Sequence, residues 1–220
     1  MRGLFITFEG TEGSGKSTQI ALLSQRLACM GHTVRVLREP GGTPIGEEIR
    51  HTLKHSDVNH GMTPETELLL MNASRAQLVR EVIRPALNSG VIVLSDRFYD
   101  STTAYQGYGR GLDLELVRQT IACAVGETRP DLTLLLTVPV EVSEARRQGR
   151  LLPGLENVRD RMEEADRGFF ERVEEGYRKL AATEPDRVRT IDATLPVDRV
   201  SQAVWMAVEP LLAHDRAQYF

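Results

Sequence analysis

One nine-residue run restricts the fold of this chain more than any other stretch: Gly10-Thr11-Glu12-Gly13-Ser14-Gly15-Lys16-Ser17-Thr18. It follows a short apolar segment, LFITF (4–8), and opens a stretch (16–30) whose apolar residues Ile20, Leu23, Leu27 and Met30 recur every three or four positions. Strand, glycine turn, amphipathic helix is therefore the expected local order. Gly10, Gly15, Lys16 and Ser17 stand at the spacing of a phosphate-binding loop, in the strand-to-helix context that such a loop requires. Glycines let the backbone curl until successive N–H groups point at one anion, and the helix N-terminus adds partial positive charge. The loop is expected to hold a nucleoside triphosphate, ATP, along residues 10–18, with Lys16 on the β- and γ-phosphates and the Ser17 hydroxyl on Mg2+.

Four more short runs rich in Val, Ile, Leu and Thr read as strands: TVRVL (33–37), VIVLS (91–95), LTLLLTV (132–138) and VRTID (188–192). Most are continuously apolar rather than alternating, as in a parallel sheet covered on both faces. Helical periodicity separates them. It covers 64–87, after the Thr63-Pro64 start signal, then 156–182 through Val158, Met162, Ala165, Phe169, Val173, Tyr177 and Leu180, and roughly 197–212. The expected class is α/β: three layers, with a five-stranded parallel sheet between helices. A single domain over 1–220 is expected, with a short basic lid at about 146–156 where RRQGRLLPG is broken by glycines and a proline.

Composition excludes several function classes. A net charge of -4 argues against broad nucleic-acid binding, which needs a clustered basic face. No apolar run approaches a membrane span or a signal peptide, so a soluble cytoplasmic protein is expected. Cys29 and Cys123 have no metal-like spacing and read as two buried free thiols of a reducing compartment. His51 and His55 are four apart, a spacing seen in zinc sites, but no third ligand is evident.

A phosphate-binding loop does not say whether water, a hydroxyl or another phosphate accepts the γ-phosphoryl group. The guanine-reading Asn-Lys-x-Asp of switch GTPases is missing. Asp96, ending the third apolar run, is placed to hold Mg2+ through water, and Arg97 beside it to face the phosphates, because strand ends of open parallel sheets converge on one crevice. The loop carries acidic Glu12 and no arginine at its variable positions. Arg146, Arg147 and Arg150 are then the expected further cations for the charge that phosphoryl transfer spreads over the equatorial oxygens.

EGTEGSGKST (9–18), REPGGTPIGEEIR (38–50), NASRAQLV (72–79), DRFYDSTTAYQG (96–107) and DRMEE (160–164) occur in the order found in bacterial thymidylate kinases, and in this the chain resembles that family. The resemblance implies transfer of phosphate from ATP to dTMP, with Mg2+, in a homodimer. By position, it implies that Arg75 reads O4 of thymine, that Thr102 and Gln106 lie near the base edge, and that Tyr105 packs on the deoxyribose. Arg50 and Arg97 would surround the monophosphate, Glu12 would approach the 3′-hydroxyl, and Glu39 would sit in the phosphate-proximal turn. Met71 stands where the family commonly has a phenylalanine stacked on the base, and shares a helix face with Arg75. The acceptor would be a phosphate monoester, dianionic at neutral pH, so no general base is required. Rival readings are another nucleoside monophosphate kinase, a deoxynucleoside kinase with Glu9 or Glu12 as base, and an ATP-switched binding module without catalysis.

Overall fold

A computed structural model describes residues 2–148 and 166–217. Five strands, β1 (Phe5–Glu9), β2 (Val34–Arg38), β3 (Ile92–Asp96), β4 (Leu132–Thr137) and β5 (Val188–Asp192), form one parallel sheet in the order β2-β3-β1-β4-β5. This is the expected five-stranded parallel architecture. The continuous apolar runs arise because alternate residues of one strand feed opposite cores. Ile6 and Phe8 of β1, Ile92 and Leu94 of β3, and Leu132, Leu134 and Leu136 of β4 face one cluster. That cluster is closed by α1 (Lys16–Cys29) and α9 (Val197–Ala217). Phe5 and Val93 face the other cluster, under α3 (Pro64–Leu78) and α6 (Leu114–Val125). Leu135 packs in a third cluster with Phe169, Val173 and Tyr177 of α8 (Arg167–Thr183).

Local chemistry sets the helix starts. Thr43 caps α2 (Pro44–Lys54) by accepting from Gly46 N at 3.0 Å, and Asp113 caps α6 by accepting from Leu116 N at 2.9 Å. Asp166 caps α8 through Phe169 N at 2.7 Å. The helix expected over 64–87 is interrupted: α3 passes into a π-helical turn, Val79–Ile83, before α4 (Arg84–Asn88). Pro85 is the physical reason, since it has no N–H to give the preceding turn and its ring crowds that turn's carbonyl. After β3, the short α5 (Tyr99–Thr102) likewise runs into a π-helical segment, Thr103–Gly109. The two cysteines are unpaired, as expected, but they are exposed rather than buried, on the outward faces of α1 and α6. Among the described residues no helix is long and apolar enough to cross a membrane.

The chain leaves β1 toward β2 on one side and leaves β3 toward β4 on the other. The crevice between the C-terminal ends of β1 and β3 is therefore the topological switch point, where ligands of open α/β sheets bind.

Candidate active site

The loop after β1 wraps the N-terminus of α1. Gly10, Gly13 and Gly15 all have left-handed φ, at 129°, 79° and 94°. At Gly10 the need is steric as well, because a Cβ there would lie 2.2 Å from the Leu136 carbonyl oxygen. Gly15 is the N-cap of α1 and offers no side-chain acceptor, so the first N–H groups of the helix face outward uncapped. Ser14 Oγ is buried with no hydrogen-bond partner. An uncapped N-terminus beside an orphaned hydroxyl fits the phosphates of a bound nucleotide. Lys16 is buried, and its ammonium donates to the carbonyls of Gly10 and Thr11 at 3.0 Å each. Burial, and then the Arg97 charge, lower its pKa to about 7. Ser17 Oγ donates to Asp96 Oδ2 at 3.2 Å, bringing the two expected metal-holding oxygens together. Thr18 is exposed on the first turn of α1.

The loop is buttressed from behind by α7 (Val140–Gln148), which sequence periodicity did not reveal. Ser143 Oγ donates to the Glu12 carbonyl at 2.5 Å. Arg146, expected in a lid, lies instead on α7 and donates to the carbonyls of Gly13 at 3.3 Å and Ala193 at 3.0 Å. The Arg147 side chain, Arg150 and the DRMEE segment lie outside the described residues, as does most of the expected lid.

Beside the loop opens a pocket lined by Glu12, Glu39, Met71, Arg75, Arg97, Thr102, Tyr105 and Gln106, all eight expected around an acceptor. Pro40, Lys54 and Ser101 also line it and were not expected. Arg50 stands one layer back, donating to the Pro40 carbonyl at 2.9 Å. The two arginines of the pocket differ sharply. Arg75 is 2 % exposed and commits every N–H: to Glu39 Oε2, to Asn72 Oδ1 and Thr102 Oγ1 at 2.9 Å each, and to the Phe98 carbonyl. Burial raises the Glu39 pKa while Arg75 opposes the shift, and Glu39 Oε1 has no partner. Arg97 instead donates to three hydroxyls, Ser101 at 2.9 Å, Tyr105 at 3.2 Å and Tyr177 at 3.3 Å. Among the described residues no direct ion pair cancels its charge. Gln106 Nε2 donates to the buried Glu67 carboxylate at 2.7 Å, and Arg110 braces the same carboxylate.

Residues 8–204 match the family model described as thymidylate kinase. The chain is 50% identical to the thymidylate kinase of Geobacter sulfurreducens over 202 residues, 92% of this chain and 94% of that one. It is 47% identical to that of Syntrophotalea carbinolica over 208 residues, covering 94% and 96%. Among solved structures, that of thymidylate kinase from Ehrlichia chaffeensis superposes with a TM-score of 0.75 at 32% identity, covering 95% of this chain and 99% of that chain.

Proposed function

The chain belongs to the thymidylate kinase family and phosphorylates dTMP to dTDP with ATP, and on that premise we propose that residues 10–18 seat the ATP phosphates while the adjoining pocket seats dTMP. The observation that carries this assignment is the shared wall: Glu12 belongs to the phosphate loop and also lines the acceptor pocket, so the two anions meet end to end. Lys16 and Arg97 approach that junction from β1 and β3 and neutralise it. Ser17 and Asp96 would hold Mg2+, which when bound supplies further positive charge for the phosphoryl oxygens. Arg146 steadies the loop through Gly13, and Arg147 and Arg150 remain proposed lid cations. Arg50 approaches the monophosphate beside Pro40. Arg75 meets the base by exchanging Thr102, the neutral partner that itself lines the pocket. Tyr105 and Met71 form the apolar walls for sugar and base.

A coupled ADP-release assay across dTMP, dUMP, dCMP and thymidine tests this reading. dTMP should be the best acceptor, and EDTA should abolish turnover until Mg2+ is restored. Preference for thymidine would replace the reading with a deoxynucleoside kinase, and ATP binding without dTDP formation would reduce it to a binding module.

We further propose a cytoplasmic homodimer formed through packed helices. Leu69 on α3 is 60 % exposed with Ala73 exposed one turn on, an apolar stripe on a helix whose other faces pack against α2 and α6. Sedimentation should give a dimer for the native chain and a monomer for Leu69→Glu. A native monomer at micromolar concentration would refute the assignment.

A further inference from the structure

Arg97 is the one non-glycine described residue with a left-handed backbone, at φ 71°. Such a conformation is strained for a residue that carries a Cβ and persists only where neighbours enforce it. Three bonds enforce it here. The Arg97 N–H donates to the Phe8 carbonyl at 2.9 Å, its carbonyl accepts from Ser95 Oγ at 2.7 Å, and the next N–H, Phe98, donates to Glu9 Oε1 at 2.7 Å. The second oxygen of Glu9 is used as fully. Oε2 accepts from Ser101 Oγ at 2.5 Å and from Tyr177 OH at 3.0 Å, the two hydroxyls that themselves accept from the Arg97 guanidinium.

We propose that Glu9 is a positioning residue for phosphoryl transfer: one oxygen fixes the backbone that carries Arg97, and the other turns two hydroxyls so that their lone pairs face its guanidinium. This rests on the role proposed above for Arg97. The two hydroxyl oxygens lie 2.9 Å apart and have one proton each, and the Glu9 carboxylate, accepting from both, keeps either proton from being spent on the other hydroxyl. The side chain is fully buried and lies outside the pocket lining, so it has no access to an acceptor hydroxyl and is not a general base. Burial pushes its pKa up to about 7, and the Asp100 charge pushes the same way, while Arg97, Ser101 and the Phe98 N–H oppose both. An assay at pH 8 therefore reads the ionised form. A glutamine at this position has a single carbonyl oxygen. Either its NH2 opposes the Phe98 N–H, donor against donor, or it reverses the two hydroxyls.

The test is a double-mutant cycle in kcat/KM for dTMP at pH 8, using Glu9→Gln, Arg97→Ala and the pair. Glu9→Gln alone should lose about ten- to a hundredfold, and in the Arg97→Ala background it should change the rate by less than about twofold, because the group it positions is gone. Tyr177→Phe should lose about three- to tenfold and fall silent in the same background. Full activity in Glu9→Gln, or losses that multiply with Arg97→Ala, would overturn the positioning role. Near-normal activity in Arg97→Ala alone would instead remove the role of Arg97, a separate result. If Glu9→Gln does not fold, Tyr177→Phe and Ser101→Ala carry the same cycle, and additivity of both with Arg97→Ala overturns the proposal.

Discussion

Replacing Lys16 with alanine is expected to lower kcat by about a thousandfold or more, roughly 4 kcal/mol of lost transition-state stabilisation, while the protein stays folded. The ammonium sits at the uncapped N-terminus of α1 beside the unpartnered Ser14 hydroxyl, where no other lysine or arginine of residues 10–18 can take its place. Its burial costs the fold something, as the lowered pKa of about 7 records, so alanine relieves a penalty and also suits a helix start. Activity and stability should therefore separate: the melting temperature should hold or rise while ADP release collapses. A purified, folded Lys16→Ala enzyme within tenfold of the native rate would remove Lys16 from the chemistry.

Arg97→Ala should cost about a hundred- to a thousandfold in kcat. The comparison with Arg75 explains why the two arginines of one pocket are not equivalent. Arg75 is neutralised by Glu39 and holds three other groups, so most of its charge is consumed by the protein. Arg97 rests on hydroxyls and over the Tyr105 ring, 4.9 Å from its centroid, which orient a guanidinium without cancelling it. Its alanine variant strands no buried donor, since every lost partner was an acceptor, but it removes the charge that opposes the raised pKa of buried Glu9, so at pH 8 it should still melt cooperatively, below the native protein. Single-turnover measurement with saturating ATP and dTMP isolates the chemical step; a native burst rate there would refute the role.

Much of the sheet is legible in the sequence. VRTID (188–192) coincides with β5, and the other strands were placed within about a residue, because short β-branched runs between turns have few alternatives. The phosphate loop was legible because its spacing is a local property. The helices α2, α6 and α7 were not separately read. In α7, VEVSEARRQ is too short and too charged for its periodicity to stand out. Arg146 consequently reads in sequence as part of an insertion, although it lies in the last turn of a helix that grips Gly13. Glu9 and Tyr177 show the deeper limit. In sequence the first is a carboxylate after a strand and the second one more apolar position on an amphipathic helix. Their hydrogen bond joins residues 168 apart, and neither carries a local signal of that meeting.

α7 and α8 lie on either side of the stretch 149–165 in the chain, and both grip the reaction centre. Before it, Ser143 and Arg146 moor the chain to the loop that follows β1. After it, Tyr177 moors the chain to Glu9 and Arg97 at the ends of β1 and β3. Both grips close on the crevice between the C-terminal ends of β1 and β3. A substitution at Ser143 or Tyr177 is therefore felt at the reaction centre, although neither residue lines the acceptor pocket.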